Sequence, residues 1–174
     1  MKNAEIIIRY ATADDSKLLA ELGARTFHDT YASHIASESL AAYVAASFSP
    51  NVQARELADP STFFLIAEIE NEAIGYAKLQ ASKPPTGIRS ARPLELVRIY
   101  VLLAWIGRGV GAKLLQACLR EAGGKGYDSI WLGVWERNPS AQAFYRKWGF
   151  VDAGTQIFQL GDIPQTDLLM QRSL

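Results

Sequence analysis

The stretch Trp105-Ile106-Gly107-Arg108-Gly109-Val110-Gly111-Ala112 decides how the rest of the chain is interpreted. An apolar run, 94–103, precedes it, and the apolar residues after it recur at helical spacing. This pattern predicts a strand, a glycine-rich turn and a helix. The glycines allow a tight turn with no side chains in the way of a ligand, and the start of the helix directs unpaired N–H groups outward. The stretch is therefore predicted to bind an anion, and phosphate is the usual one.

Composition limits the classes of protein that the chain can belong to. Its length suits one domain, 1–174, and Lys+Arg and Asp+Glu balance at 18 each, so no basic field is present to attract nucleic acid. We find no signal peptide and no apolar run near the ~20 residues that span a bilayer, so we expect a cytoplasmic protein without a membrane partner. Cys118 is the only cysteine and lies on an apolar helical stripe, which predicts a buried residue. His28 and His34 have no third ligand at metal-binding spacing, so no metal is expected.

Outward from the glycine loop, the sequence predicts helices and strands in a mixed α/β order around one sheet. The predicted strands are 6–10, 62–68, 73–79, 93–102, 128–135, 154–160 and 166–172. The predicted helices are 16–26, 37–48, 51–57, 109–122, which Gly123-Gly124 would end, and one that starts at Asn138-Pro139 and ends at Gly149.

Three classes of phosphate ligand compete for the loop. A Walker loop ends in Lys followed by Ser or Thr, whereas Ala112-Lys113-Leu114 supplies no hydroxyl. A dinucleotide-binding loop has G-x-G-x-x-G spacing near the start of its domain. Here the spacing is G-x-G-x-G, and the loop follows a predicted hairpin past the middle of the chain. The third class is acyl-coenzyme A.

Several motifs in order resemble the GNAT N-acetyltransferases, and the resemblance covers nearly the whole chain. Residues 95–101 resemble the family's fourth strand, and 107–115 its pyrophosphate loop and third helix. Residues 134–150 resemble its V-x-x-x-N-x-x-A-x-x-F-Y-x-x-x-G-F ending. Ile106 departs from the Gln or Arg often found there, but contacts in this loop are mostly with backbone amides. The tail around 161–170 resembles that of bacterial spermine/spermidine-type acetyltransferases.

The resemblance implies a GNAT-like acyl-CoA N-acyltransferase fold, α/β with a central mixed, mostly antiparallel sheet flanked by helices. It implies transfer of an acetyl group from acetyl-CoA to a primary amine by direct attack in a ternary complex, with a small-molecule amine or polyamine favoured. Protein N-terminal or lysine acetylation, and non-catalytic acyl-CoA sensing, are the alternatives. A homodimer is compatible with the family. The acceptor amine and the physiological acyl group are not specified by the sequence.

The resemblance also implies which residues bind the cofactor. The pantetheine arm would pair with the backbone of Ile99, Tyr100 and Val101, and the pyrophosphate with Ile106, Gly107, Arg108, Gly109, Val110, Gly111 and Ala112. For Arg108 the alternative is a solvated arginine. Asn138 either hydrogen-bonds the cofactor or caps the helix that follows it.

Two residues are the implied catalytic groups. Tyr145 would protonate the departing thiolate, and the alternative is a packing tyrosine. Glu95 would act as general base, because a carboxylate on a buried strand is unfavourable unless it is paired or functional. The alternative is a salt bridge, although the alternation of side chains along a strand predicts that Arg98 faces the opposite side.

Substrate identity is expected to depend on residues 27–48 and the loop 82–93, and the candidate substrate-binding residues are Phe27, Tyr31 and Trp135. Asp29, Glu38 and Asp14 or Asp15 are further candidates that could face a polyamine cation. The alternative for these acids is ordinary surface and helix-capping chemistry.

Overall fold

A computed structural model of the chain describes residues 5–174, and the prediction that the chain starts without a signal peptide lies partly outside them. The helices are α1 (Ser16–Tyr31), α2 (Ser37–Ser47), α3 (Pro50–Ala58), α4 (Val110–Gly124) and α5 (Pro139–Lys147). The strands are β1 (Ile7–Tyr10), β2 (Thr62–Ile69), β3 (Glu72–Gln80), β4 (Pro93–Val101), β5 (Ser129–Trp135), β6 (Val151–Leu160) and β7 (Ile163–Ser173). Every predicted helix and strand is present, and only their ends differ. Among residues 5–174, no helix combines the length and apolarity needed to cross a membrane.

The strands form one seven-stranded sheet in the order β1-β2-β3-β4-β5-β7-β6. Every neighbouring pair is antiparallel except β4 and β5, which are parallel and connected through α4. This confirms the mixed, mostly antiparallel sheet that the sequence predicts. The sheet carries helices on both faces, with α1 on one side and α4 on the other.

The core consists of the apolar side chains between these helices and the sheet. Leu114 and Cys118 of α4 are fully buried on one face, and Leu19 of α1 is fully buried on the other, against Phe64 and Tyr76. Truncating a buried leucine such as Leu114 to alanine removes about 2–5 kcal/mol of stability. Burial also raises the pKa of the Cys118 thiol to about 12, so it is an inert core residue as predicted.

The parallel strands β4 and β5 separate along their length. They pair at only three positions, from Pro93–Ser129 to Glu95–Trp131. Beyond Glu95 the edge of β4 that faces β5 has no strand partner, although its other edge continues to pair with β3 as far as Val101. An open cleft therefore runs between the two halves of the sheet.

A bulge in β4 changes which side chains share a face. Lys78 of β3 pairs with Arg98 whereas the next residue, Leu79, pairs with Leu96, so Val97 is left over. The extra residue shifts the alternation by one position. Glu95 and Arg98 consequently face the same cavity, and the prediction that they lie on opposite faces is wrong.

Two helix ends also differ from prediction. The first helix continues five residues beyond Thr26, because Phe27 and Tyr31 lie one turn apart and their rings pack at 4.4 Å. The helix α4 runs through Gly123-Gly124 rather than ending before them. The left-handed residue that follows this helix is Gly126, with φ of 79°.

Candidate active site

A groove of about 850 Å³ lies between the glycine loop and α5. It brings together most of the predicted cofactor-binding residues: Ile99, Val101, Ile106, Gly107, Gly109, Gly111, Ala112, Asn138 and Tyr145. The other three predicted residues do not line the groove with their side chains. Val110 is buried in the core, the Arg108 guanidinium packs 5.2 Å from the centre of the Trp105 ring, and Tyr100 lines two smaller cavities beside β4.

The glycine loop presents backbone N–H groups without partners. Gly107 and Gly109 have φ of 79° and 83°, the left-handed conformation that favours glycine, and each has open space where a side chain would begin. Gly109 also caps α4. Among the described residues, no acceptor pairs with the N–H groups of Gly107, Gly109, Val110, Gly111 and Ala112. Five unpaired donors and the positive end of a 15-residue helix suit a diphosphate, so the loop fits the pyrophosphate of coenzyme A.

A cleft of about 240 Å³ continues from this groove between the separated strands. Its walls are residues 96–101 of β4 and 132–135 of β5, together with Thr30, Tyr31, Ile106, Asn138, Ala141 and Tyr145. Since the edge of β4 has unpaired backbone groups here, an extended ligand can bind it as an added strand. This is the arrangement that the sequence implies for the pantetheine arm.

Tyr145 lies where the groove meets the cleft. Its ring packs edge-on against Phe144 and Phe150, with centroids 5.4 Å and 5.6 Å away, so its position is fixed. Burial raises the pKa of Tyr145 well above its usual value. The hydroxyl therefore stays protonated and can donate a hydrogen bond to a charge that develops in the cleft.

Asn138 caps α5 as predicted. Its Oδ1 accepts a hydrogen bond of 3.1 Å from the Ala141 N–H, and Pro139 follows at the first helical position. The cap uses only the side-chain oxygen. The amide NH₂ group remains available to a ligand in the groove and the cleft, both of which Asn138 lines.

Glu95 does not form the salt bridge that was its alternative explanation. Its Oε2 accepts a 2.5 Å hydrogen bond from Ser82 Oγ. Burial raises the pKa of Glu95, although that hydrogen bond and the charge of Lys78 oppose the shift. Within residues 5–174, Glu95 has no basic partner, because Arg98 and Lys78 both pair with Glu56.

On the far side of the cleft is a third, smaller cavity of about 160 Å³, here called the acceptor pocket. The three predicted substrate residues, Phe27, Tyr31 and Trp135, line it together. The Tyr31 and Trp135 rings are 5.3 Å apart. The rest of the lining consists of Tyr43, Phe48, residues 95–98, Tyr100, Gly133, Gln156, Phe158 and Asp167.

The acidic residues considered from sequence lie outside the acceptor pocket. Asp29, Glu38 and Asp14 do not line it. Asp15 is held by Arg9 at 2.8 Å and accepts a hydrogen bond from the Thr12 N–H, and these contacts lower its pKa to about 2. Asp15 therefore has a structural role.

Besides Glu95, the carboxylate that lines the pocket is Asp167 of β7, which the sequence interpretation missed as a site residue. It is directly opposite Trp135 on β5 and is only 9% exposed. Burial raises its pKa to about 6. A signal for it exists in the sequence: Asp167 has the same strand parity as buried Leu169, so the reasoning applied to Glu95 applies to it as well.

The model of the acetyltransferase (GNAT) family matches residues 24–150. The chain belongs to the GNAT family of acetyltransferases. An uncharacterized N-acetyltransferase of Mycobacterium bovis is 35% identical to this acetyltransferase over 160 residues, 92% of this chain and 98% of the relative. An uncharacterized N-acetyltransferase from the pepI 3′ region of Lactobacillus delbrueckii subsp. lactis is 29% identical over 168 residues, 97% of this chain and 96% of the relative.

Solved structures agree with this assignment at the level of the fold. The PaiA N-acetyltransferase of Thermoplasma acidophilum in complex with coenzyme A superposes on this acetyltransferase with a TM-score of 0.80. The two are 22% identical, with 98% of this chain and 99% of the other covered. The GNAT protein described here is an acetyl-CoA-dependent N-acetyltransferase, with acetyl-CoA as co-substrate. Its resemblance to the spermine/spermidine branch stays a prediction. Among the described residues, no group of three or more metal-ligating side chains is present.

Proposed function

We propose that this acetyltransferase acetylates a primary amine of a small molecule, a polyamine included, by direct attack in a ternary complex. One observation carries the proposal. The cleft shares Ile99, Asn138 and Tyr145 with the cofactor groove, and it shares Tyr31 and Trp135 with the acceptor pocket. Two substrates that enter from opposite sides therefore meet between β4 and β5. The chain's only cysteine, Cys118, is fully buried, so it offers no thiol to carry the acetyl group.

Acetyl-CoA supplies the acetyl group as an activated thioester. The backbone of the glycine loop holds the pyrophosphate end, and the free edge of β4 orients the arm that leads into the cleft. This positioning converts a bimolecular reaction into one between neighbouring groups.

The chain's own acids and bases perform the proton transfers. Glu95 accepts a proton from the amine directly or through water, which its raised pKa favours at neutral pH. Tyr145 donates a proton towards the sulfur side of the cleft. It lines both the groove and the cleft but not the acceptor pocket, which supports this division of roles.

The size of the acceptor pocket supports a small amine. At about 160 Å³ it is below the roughly 300–1,000 Å³ of sites for drug-sized ligands. A protein substrate would have to insert a single unhindered amine arm. Two alternatives are distinguished by experiment. One is acetylation of protein N-termini or lysines, and the other is non-catalytic acyl-CoA sensing.

The test is thiol release from acetyl-CoA over a panel of polyamines, amino acids, aminoglycosides and peptide N-termini. We expect release with a small amine, and release with peptides alone would contradict the small-molecule assignment. No release with any amine, while coenzyme A still raises the melting temperature, would indicate a sensor instead of an enzyme.

A further inference from the structure

Asp167 is a buried carboxylate that the mechanism above does not use. It is 9% exposed and lines the acceptor pocket. In the part of the chain that the structure describes, it accepts no hydrogen bond and forms no ion pair. A buried carboxylate without a partner is energetically unfavourable. It marks a place where a ligand can supply the missing cation.

Gly133 makes room for this carboxylate. A Cβ atom at Gly133 would lie 3.0 Å from Asp167 Oδ2 and 2.8 Å from Gln156 Nε2. Both polar groups therefore lie directly over the glycine on the floor of the pocket. Since Gly133 belongs to β5 beside the cleft, Asp167 is next to the place where the two substrates meet.

The charges around the pocket leave it acidic. Arg98 lines it, but Glu56 neutralises Arg98 with two hydrogen bonds of 2.8 Å and 3.1 Å. Glu95 and Asp167 are then the carboxylates without a cation among the lining residues. The charge of Asp167 also affects the hydroxyls of Tyr31 and Tyr43. Burial raises the pKa of both hydroxyls, and the negative charge of Asp167 raises it further.

Seven aromatic residues also line the pocket. Tyr31 lies 4.4 Å from Phe27 and 5.3 Å from Trp135, and Tyr43 lies 4.9 Å from Phe27, measured between ring centroids. Rings of this kind attract ammonium groups through their π faces. A carboxylate and aromatic rings that line one cavity of about 160 Å³ match a small organic cation.

We propose that Asp167 binds the ammonium group of the acceptor and takes its first proton, and that the pocket selects an unbranched alkyl ammonium over an amine with an adjacent carboxylate. The inference rests on the proposed function. An amine with an adjacent carboxylate, as in an amino acid, would place a second negative charge beside Asp167 and Glu95. Such like-charge contacts in a desolvated site exclude a ligand effectively.

Two carboxylates account for the two protons that the acceptor nitrogen loses. Asp167 accepts one proton from the ammonium group and leaves a neutral amine, whose lone pair forms the new N–C bond as the C–S bond breaks. Glu95 accepts the second proton from the nitrogen, and Tyr145 donates one to the sulfur. Water carries the proton from Glu95 back to Tyr145, and Asp167 releases its own to solvent. One proton is released per turnover.

The test compares three matched amines: butylamine, 2-aminopentane, which adds a methyl group beside the nitrogen, and norvaline, which adds a carboxylate there. We expect kcat/KM to fall in that order, with butylamine preferred over norvaline by at least about 100-fold, the scale of a like-charge penalty. The Asp167→Asn variant tests the residue itself. It should lower kcat/KM for butylamine at least about 30-fold and reduce the preference over norvaline to below about 10-fold. The matched control is Asp162→Asn in the exposed turn between β6 and β7, which should change neither the kcat/KM for butylamine nor the preference.

Coenzyme A titrations separate this inference from a folding defect, because each variant should keep the same rise in melting temperature with coenzyme A. Gly133→Ala is the second variant: its methyl group would crowd the carboxylate, so it should lower kcat/KM for butylamine while cofactor binding is kept.

If the wild type acetylates butylamine and Asp167→Asn retains its rate and preference, the inference is overturned and the proposed function stands. A wild type that prefers norvaline also overturns the inference alone. A wild type that acetylates no amine overturns both.

Discussion

Arg98 is bound by Glu56 and not by Glu95, although Glu95 is only three residues away on the same strand. The guanidinium donates hydrogen bonds of 2.8 Å and 3.1 Å to Glu56, and the Lys78 ammonium group donates a third of 2.8 Å. Burial opposes ionisation of Glu56, but these two cations outweigh it and lower its pKa. Because Glu56 pairs with both Lys78 and Arg98, Glu95 has no cationic partner and is free to act as a base.

We therefore predict that Glu56→Gln impairs catalysis from a distance. With Glu56 neutral, Lys78 and Arg98 would be free to interact with Glu95 and lower its pKa, which weakens it as a base. The free energy of unfolding should also fall by about 3 kcal/mol, near the lower end of the range for a broken buried ion pair. Steady-state kinetics and denaturant unfolding measure the two effects. The matched control is Glu38→Gln on exposed helix surface. Unchanged kcat with a lower stability would show that Glu56 has no effect on the base.

Tyr145→Phe should lower turnover at least about tenfold, because one acid catalyst typically contributes 10²–10⁴-fold and water can replace part of it. The ring and its contacts with Phe144 and Phe150 are kept, so acetyl-CoA binding should not change. Steady-state thiol release and coenzyme A titration measure the two. Turnover equal to that of the wild type would remove Tyr145 from the mechanism.

The pH dependence should report Asp167. Burial raises its pKa to about 6, so below this pH the carboxyl is protonated and cannot accept a proton or pair with a cation. We expect kcat/KM for butylamine to rise with pH through about 6, as the amine itself stays protonated up to roughly pH 10. In Asp167→Asn the part of this limb that Asp167 contributes should be lost, and the acid limb that remains should report Glu95 alone. A wild-type profile that is flat between pH 5 and 7 would contradict the assignment.

The raised pKa of Asp167 also predicts that replacing its charged side chain by a neutral one increases the free energy of unfolding. The native carboxyl binds its proton more strongly than an unfolded aspartic acid, whose pKa is 3.8. The free energy of unfolding should therefore fall as the pH rises from about 4 to about 6. Asp167→Asn should be more stable than the wild type at pH 8, by at most about 3 kcal/mol, and nearly equal to it at pH 4. Chemical unfolding at the two pH values tests this, and the opposite sign would mean that Asp167 has a stabilising partner.

The glycine loop can be tested with two matched substitutions. Gly109 and Gly124 both have open space for a Cβ atom, but only Gly109 has a left-handed φ, of 83°. Gly109→Ala should introduce about 1–2 kcal/mol of strain and weaken coenzyme A binding by displacing the loop N–H groups. Gly124→Ala, at the end of α4, should leave binding unchanged and stabilise the helix by up to about 1 kcal/mol. Calorimetric titration with coenzyme A compares the two, and equal affinities would argue against the loop as the pyrophosphate site.

The parts of the fold that sequence predicts well are those set by local chemistry. The turn at Gly107–Gly109 and the cap at Asn138 depend on residues a few positions apart, and both are present as predicted. The bulge at Val97 depends on how β4 pairs with β3, which no local pattern specifies. For this reason the predicted separation of Glu95 and Arg98 is wrong.

In the acceptor pocket too, sequence predicts the features that depend on neighbouring residues and misses those that depend on strand order. Phe27 and Tyr31 are recognisable from sequence as an aromatic cluster, and α1 extends to include both. Asp167 reaches the same pocket only because β7 inserts between β5 and β6. That strand order depends on contacts between distant parts of the chain, so the sequence shows a buried acid but not the cavity that it faces.

The separation of β4 from β5 has a consequence for how this enzyme can change over evolutionary time. The groove for the shared donor is built from β4, α4 and α5, whereas much of the acceptor pocket comes from α1, α2, β6 and β7. The strand β4 lines both cavities, but α1, α2, β6 and β7 contribute no residue to the donor groove, so mutations in these four elements can accumulate without disturbing recognition of the donor. Gene duplicates of such a protein can therefore acquire new amine substrates while they inherit one reaction unchanged.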